Sequence, residues 1–173
     1  MVLLKHDRIY QHNLIRTNYT TYDVRRAQDV ANASTTHNNI MVLADHADES
    51  DSFSDRSHPF LYARLLGIYH ANVIYVGPGM LDYQPHRIEF LWVRWYRNVG
   101  VEHATGWDSR KLDCVQILPV STGHAFDFID PSDVLRNAHI VPAFSKGKCY
   151  RDGKGLSLLA QDSSDWTEYF VNR

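Results

Sequence analysis

Three groups of residues in this chain have types and spacings that could do chemistry. Ten histidines invite a metal reading. Yet there is no His-Glu-x-x-His, no His-x-His and no cysteine pair to complete a zinc set. A metal-dependent nuclease or other phosphodiester hydrolase would have to gather its ligands from separate strands. His58, His70, Asp127 and His139 form the set such an enzyme would use.

The second group is the carboxylate pair in "FIDPSDVLRNAH", Asp130 and Asp133. Its spacing has a simpler account than acid–base catalysis. Asp130 caps, Pro131 takes the first helical position, and Asp133 sits near the positive end of the helix dipole, which predicts a short helix running to Arg136.

The third is the glycine-interleaved basic stretch "SKGKCYRDGKG", with Lys146, Lys148, Arg151 and Lys154. Five residues rather than four separate Gly147 from Gly153, and Gly155 stands where a phosphate loop needs Ser or Thr for magnesium. This excludes a nucleotide cradle of that type. It leaves a basic loop able to touch phosphates, and Arg25 and Arg26 at an expected strand end could join it. Contacts of this kind are weak, indifferent to sequence and sensitive to salt. No Gly-x-Ser-x-Gly elbow occurs, and none of these patterns calls for a cofactor.

The elements that must position these residues are strands. Helical periodicity is scarce, while short runs rich in β-branched and aromatic residues recur between turn signals. Strands are expected over 8–16, 19–26, 40–44, 60–76, 87–96, 112–118, 124–128, 139–144 and 167–171. "VGPGMLDYQP", 76–85, reads as a broad hairpin connection between two long strands. The acidic stretch "DHADESDSFSD" has Phe53 as its one large apolar side chain and is expected to be a mobile loop over 45–57.

The whole chain sets the outer limits. Its 173 residues suit one domain, and 44% apolar against 22% charged residues is an ordinary globular balance. A formal charge of −2 carries no global footprint of a nucleic-acid binder. Cys114 and Cys149 cannot make a disulfide framework and read as reduced thiols. No stretch approaches a membrane span or a signal peptide, so an intracellular location, nuclear or cytoplasmic, is the expectation.

"RIEFLWVRWYRN" holds the densest aromatic content, and strand alternation divides it cleanly. Ile88, Phe90, Trp92, Arg94 and Tyr96 share one face; Leu91, Val93 and Trp95 share the other. A stacking platform for bases needs one open face over one buried face. Here both are apolar at the centre, which predicts a core strand covered on both sides, with Arg94 paired to an acid such as Glu89 or Asp127 or stacked on an aromatic ring.

Five stretches, "NYTTYDVRRAQD", "HPFLYARLLGIYHANVIYVG", "RIEFLWVRWY", "HAFDFIDPSDVLRNAHIVPAF" and "DWTEYFVN", resemble the C-terminal region of large transposon-associated proteins of mushroom-forming fungi. More distantly, their order is similar to the domain of unknown function that follows the transposase in some plant DNA transposons. That resemblance implies a bromo-adjacent-homology or SH3-like barrel that contacts chromatin or other proteins. The combined expectation is a mainly β, partly closed SH3/BAH-like barrel over 1–173 with one short helix and long loops. It would act as a non-catalytic interaction module of transposon origin, with a protein or chromatin partner or weak, non-specific nucleic-acid contact.

Overall fold

The computed structural model describes residues 1–21, 23–44, 58–79, 82–99 and 112–172. The acidic stretch 45–57 lies outside the described residues.

The chain is mainly β. Its strands are β1 (Val2–His12), β2 (Ile15–Thr20), β3 (Arg26–Ala31), β4 (Asn39–Leu43), β5 (Phe60–Tyr75), β6 (His86–Asn98), β7 (Asp113–Ile117), β8 (Phe126–Ile129), β9 (Val134–Asn137), β10 (His139–Pro142) and β11 (Tyr169–Asn172). Nine of them form one sheet in the order β10-β11-β7-β6-β5-β4-β9, with β1 added to β5 and β8 to β6; β2 and β3 form a separate hairpin. The two ends of that order are successive stretches of one run. Only Ala138 separates β9 from β10, and its N–H donates to the Asn39 carbonyl on β4 at 2.9 Å.

β5 and β6 are the spine, pairing from Ala63–Trp95 to Val73–His86. The register shifts between Leu65 and Gly67. Gly67 fits there because the Tyr69 ring lies over it, where a Cβ would overlap the ring. Two cores form on either side of this spine. One joins Ala31, Ile40, Leu65, Leu91, Val93 and Val134, so the β2–β3 hairpin is held against one face. The other joins Tyr62, Tyr96, Val115, Ile117, Tyr169 and Val171 on the opposite face.

Four local expectations are corrected. The segment after Asp130 is a single 3-10 turn, Pro131–Asp133, rather than a helix to Arg136. The capping was read correctly, since Asp130 Oδ1 accepts from Ser132 N at 2.8 Å, but Val134 gains more by burial in the hairpin-side core and starts β9. An expected strand over 19–26 is interrupted by a turn, where Thr21 Oγ1 donates to the Arg25 carbonyl and Val24 takes φ 60°; β3 then runs to Ala31. The expected strand over 8–16 is divided between β1 and β2 at Asn13–Leu14. Finally, Trp92 and Trp95 are half-buried rather than enclosed.

Candidate functional site

The face of the spine opposite the β2–β3 hairpin carries two contrasting environments. At the end nearest β7 and β11, its side chains are Tyr62, Arg64, Arg94 and Tyr96, and the two guanidiniums converge on Asp165. Arg64 Nη1 donates to Asp165 Oδ1 at 2.5 Å and Arg94 Nη1 to Oδ2 at 2.7 Å. Arg94 Nε and Nη2 also donate to the Leu118 carbonyl, at 2.9 and 2.6 Å. Arg94 is 2% and Asp165 1% exposed, so each charge is satisfied by protein rather than by water. Burial alone would lower the Arg64 pKa, but the surroundings, Tyr96 and Asp165 foremost, raise it on balance. Burial pushes the Tyr96 hydroxyl up to about 12 and the Tyr169 hydroxyl upward, which keeps both neutral. Tyr96 donates to Asn39 Oδ1 at 2.9 Å. This cluster ties β5 and β6 to the segment before β11. An acid partners Arg94 as expected, but it is Asp165 rather than Glu89, which pairs with Arg87 at 2.7 Å, or Asp127, and Arg94 also lies 5.9 Å from the Phe126 ring.

Towards the other end the same face turns apolar and open. Cross-strand partners share a face. The register therefore aligns Val2 with Tyr75, Leu4 with Val73, Ile9 with Ala71 and Ile88, Tyr69 with Phe90, and Trp92 with Phe128. Ring contacts knit these rows together: Tyr69 stacks on Phe90 with centroids 5.6 Å apart, and Phe90 meets the edge of Phe128 at 5.7 Å. Phe128 is 64%, Val2 61%, Ile9 55% and Ile88 50% exposed. At the paired positions the polar interruptions in these rows are Gln11, opposite Tyr69, and His86, opposite Val73, and Lys5, His6, Asp7 and Arg8 fill the irregularity of β1 between Leu4 and Ile9.

No family model, curated protein or solved structure matches the chain.

The residues considered for metal chemistry are dispersed. His58 precedes β5 and pairs through Nε2 with Asp113 on β7 at 3.1 Å, whereas His70 lies in the far half of β5. His70 stands twelve positions after His58. At 3.3 Å per strand residue, the ten from Phe60 alone span roughly 30 Å. Asp127 stands on β8 opposite Val93, and His139 on β10 opposite Asn172. Among the described residues, no three His, Cys, Asp or Glu side chains are grouped to hold a metal. His70 instead meets His12, with Nδ1 and Nε2 2.6 Å apart, under the ring of Tyr10. Desolvation, with Arg87 and His12 nearby, lowers the His70 pKa. The pair lies on the hairpin-side face, near a groove of about 590 Å³ whose wall includes His12, Arg16, Thr17, Arg87 and Glu89.

The basic residues fall on two elements. Arg25 closes the β2–β3 turn, with Nε 3.0 Å from Asp23, and Arg26 opens β3. Lys146 follows β10 and lies 3.6 Å from Glu168; Lys148 lies 5.6 Å from the Trp166 ring. Arg151 and Lys154 are exposed in the next loop. That loop is wrapped around an internal anion: Asp162 accepts from Leu156 N at 2.8 Å and Ser157 N at 3.1 Å. A Cβ on Gly155 would meet the same carboxylate. Backbone donors that a phosphate could have used are thus already taken. Burial opposes the ionised form of Asp162, but these backbone donors outweigh it and lower its pKa. Neither cysteine is activated, since burial raises both thiols, with Glu168 adding to the effect at Cys114 and Asp165 at Cys149.

The alternation of Ile88, Phe90 and Trp92 was legible in the sequence, but its openness was not. No spacing signal linked Asp165 to Arg64 and Arg94, which lie 101 and 71 residues away.

Proposed function

We propose that the chain is a non-catalytic interaction module that docks a protein partner on the open apolar face of β1, β5, β6 and β8. The observation that carries this reading is the register of Ile9, Tyr69, Ile88, Phe90, Trp92 and Phe128 on one sheet surface with half or more of Ile9, Ile88 and Phe128 exposed. Large exposed apolar surfaces of this kind mark protein contact sites. Nucleic acid is the weaker fit. A stacking platform works beside cations that hold phosphates, and here the basic residues Arg25, Arg26, Lys146, Lys148, Arg151 and Lys154 stand on other elements.

The joined ends of the sheet order support a partly closed barrel of the SH3/BAH kind, and such a module would suit the transposon-associated proteins that the sequence resembles. A chromatin protein is then one class of partner. The dispersal of His58, His70, Asp127 and His139 disfavours the nuclease alternative.

A random-peptide library panned against the wild-type chain and against an Ile88→Lys, Phe128→Lys double variant tests the reading. Peptides with aromatic and aliphatic anchors should be enriched on the wild type only. Equal enrichment on both proteins would contradict a role for this face.

A further inference from the structure

The β2–β3 hairpin leaves one strand edge unpaired. β3 lies beside β9, where Asn137 Nδ2 donates to the Val30 carbonyl at 2.9 Å, whereas among the described residues β2 pairs with β3 and with no other strand. The turn fixes where the remaining backbone groups of β2 point. Thr21 N donates to the Arg25 carbonyl at 2.8 Å, and bonded and non-bonded pairs alternate along an antiparallel ladder. In this register Thr17 and Tyr19 are therefore bonded to β3, while Arg16 and Asn18 turn their N–H and C=O groups away from it. The Val30 carbonyl, opposite Arg16, leaves the hairpin in the same way. The pairing runs without a bulge and β2 has no proline, so the devices that blunt an exposed edge are missing.

The groove of about 590 Å³ follows this edge. Its wall takes in Ile15, Arg16, Thr17 and Asn18 in succession and no residue of β3. Successive strand residues face opposite ways, so a groove that touches all four runs along the strand's edge, over about 13 Å. Ile68 and Val134, both buried, give it apolar ground. Its charges are mostly spoken for. Arg87 and Glu89 neutralise each other at 2.7 Å, His12 meets His70, and Asp130, beside the groove, is turned to Ser132. Among the described residues Arg16 has no ion-pair partner, which leaves one spare positive charge at the edge.

We propose that the free edge of β2 receives an extended segment of a partner protein as an added strand, with an acidic side chain opposite Arg16. The incoming chain pairs its N–H and C=O groups with those of Arg16 and Asn18. Its acidic residue shares the solvent face with Arg16, and the apolar residues before and after it turn inward beside Ile15 and over Ile68. This groove lies on the opposite face of the spine from the open apolar rows, so the two surfaces stand or fall separately.

Nuclear magnetic resonance titration of the nitrogen-15-labelled full chain tests it, with heptapeptides in which valine alternates with glutamate, serine or lysine. The glutamate peptide should bind most tightly and the lysine peptide least. The amide protons of Arg16 and Asn18 should move downfield as they gain acceptors, while the amides of Ile88 and Phe128 stay still. Arg16→Glu should reverse the order of the peptides. Asn18→Pro, which deletes one edge donor, should weaken the glutamate peptide about tenfold. The arginine variant, altered on the solvent face, keeps the test decisive if the proline disturbs the hairpin. No binding by any peptide, or equal binding of the lysine peptide, would overturn the proposal. Shifts reproduced by sodium acetate alone would overturn it too, by reducing the site to a single anion contact. Shifts at Ile88 and Phe128 instead would assign the peptides to the apolar face and remove the edge as their site.

Discussion

The two ends of the β5–β6 spine invert the usual relation between chemistry and burial. At one end Arg64, Arg94 and Asp165 are enclosed; at the other, Ile88 and Phe128 are open to solvent. Both lie on one face of the same two strands and their neighbours. Buried charge is tolerated at the first end because the Asp165 carboxylate serves two guanidiniums and the Leu118 carbonyl takes two further donors. At the second end no described element covers the apolar rows. Enclosure depends on what the rest of the chain lays over a face. The segment 143–168 supplies Asp165 to one end, while β1 extends the open face at the other without covering it.

The sharpest way to break this comparison is at Asp165. Asp165→Asn leaves two buried guanidiniums short of a counter-charge, and about 3–5 kcal/mol of stability should be lost. Urea denaturation would show it. A loss under about 1 kcal/mol would mean that water reaches the cluster, and the contrast between the two ends would disappear.

The tryptophans come next, because each sits part-way between the two environments. Trp95 packs against the hairpin-side core and Trp92 lies in the open rows. Each alanine variant should lose about 2 kcal/mol, less than a fully enclosed aromatic. A melting curve unchanged for Trp95→Ala would remove it from the core.

A smaller effect is expected at Asp130, whose carboxyl is held below the usual range by the hydroxyl and backbone N–H of Ser132. Asp130→Ala should be destabilising, by less than either tryptophan variant. The sign with pH follows from the lowered pKa: this contribution is present above the ordinary aspartate range and fades as acid titrates the folded group. A wild-type-minus-variant difference that grew on acidification would contradict the capping role.

What the sequence made legible was local. Alternation identified the long strands, the face shared by Ile88, Phe90 and Trp92, and the Asp130 cap. Neighbourhood was not legible, because it depends on pairings far apart in sequence. Asp165 carries no pattern announcing two arginine partners, and no glycine or proline marks the turn after Thr20, which Thr21 closes through its backbone N–H and Oγ1 on the Arg25 carbonyl. The helix expected to Arg136 failed for a related reason: its cap was real, but the pairing of β9 with β4 outweighed continuation. Charge was equally ambiguous, since the glycines and lysines of 145–155 fit a phosphate-touching loop as well as one folded around its own Asp162.

Hydroxyl-radical footprinting tests the contrast between the two ends most directly. Ile9, Ile88 and Phe128 should be oxidised readily while Tyr62 and Tyr96 stay protected. Protection of Ile88 and Phe128 would show that the chain covers this face itself and would contradict the contrast.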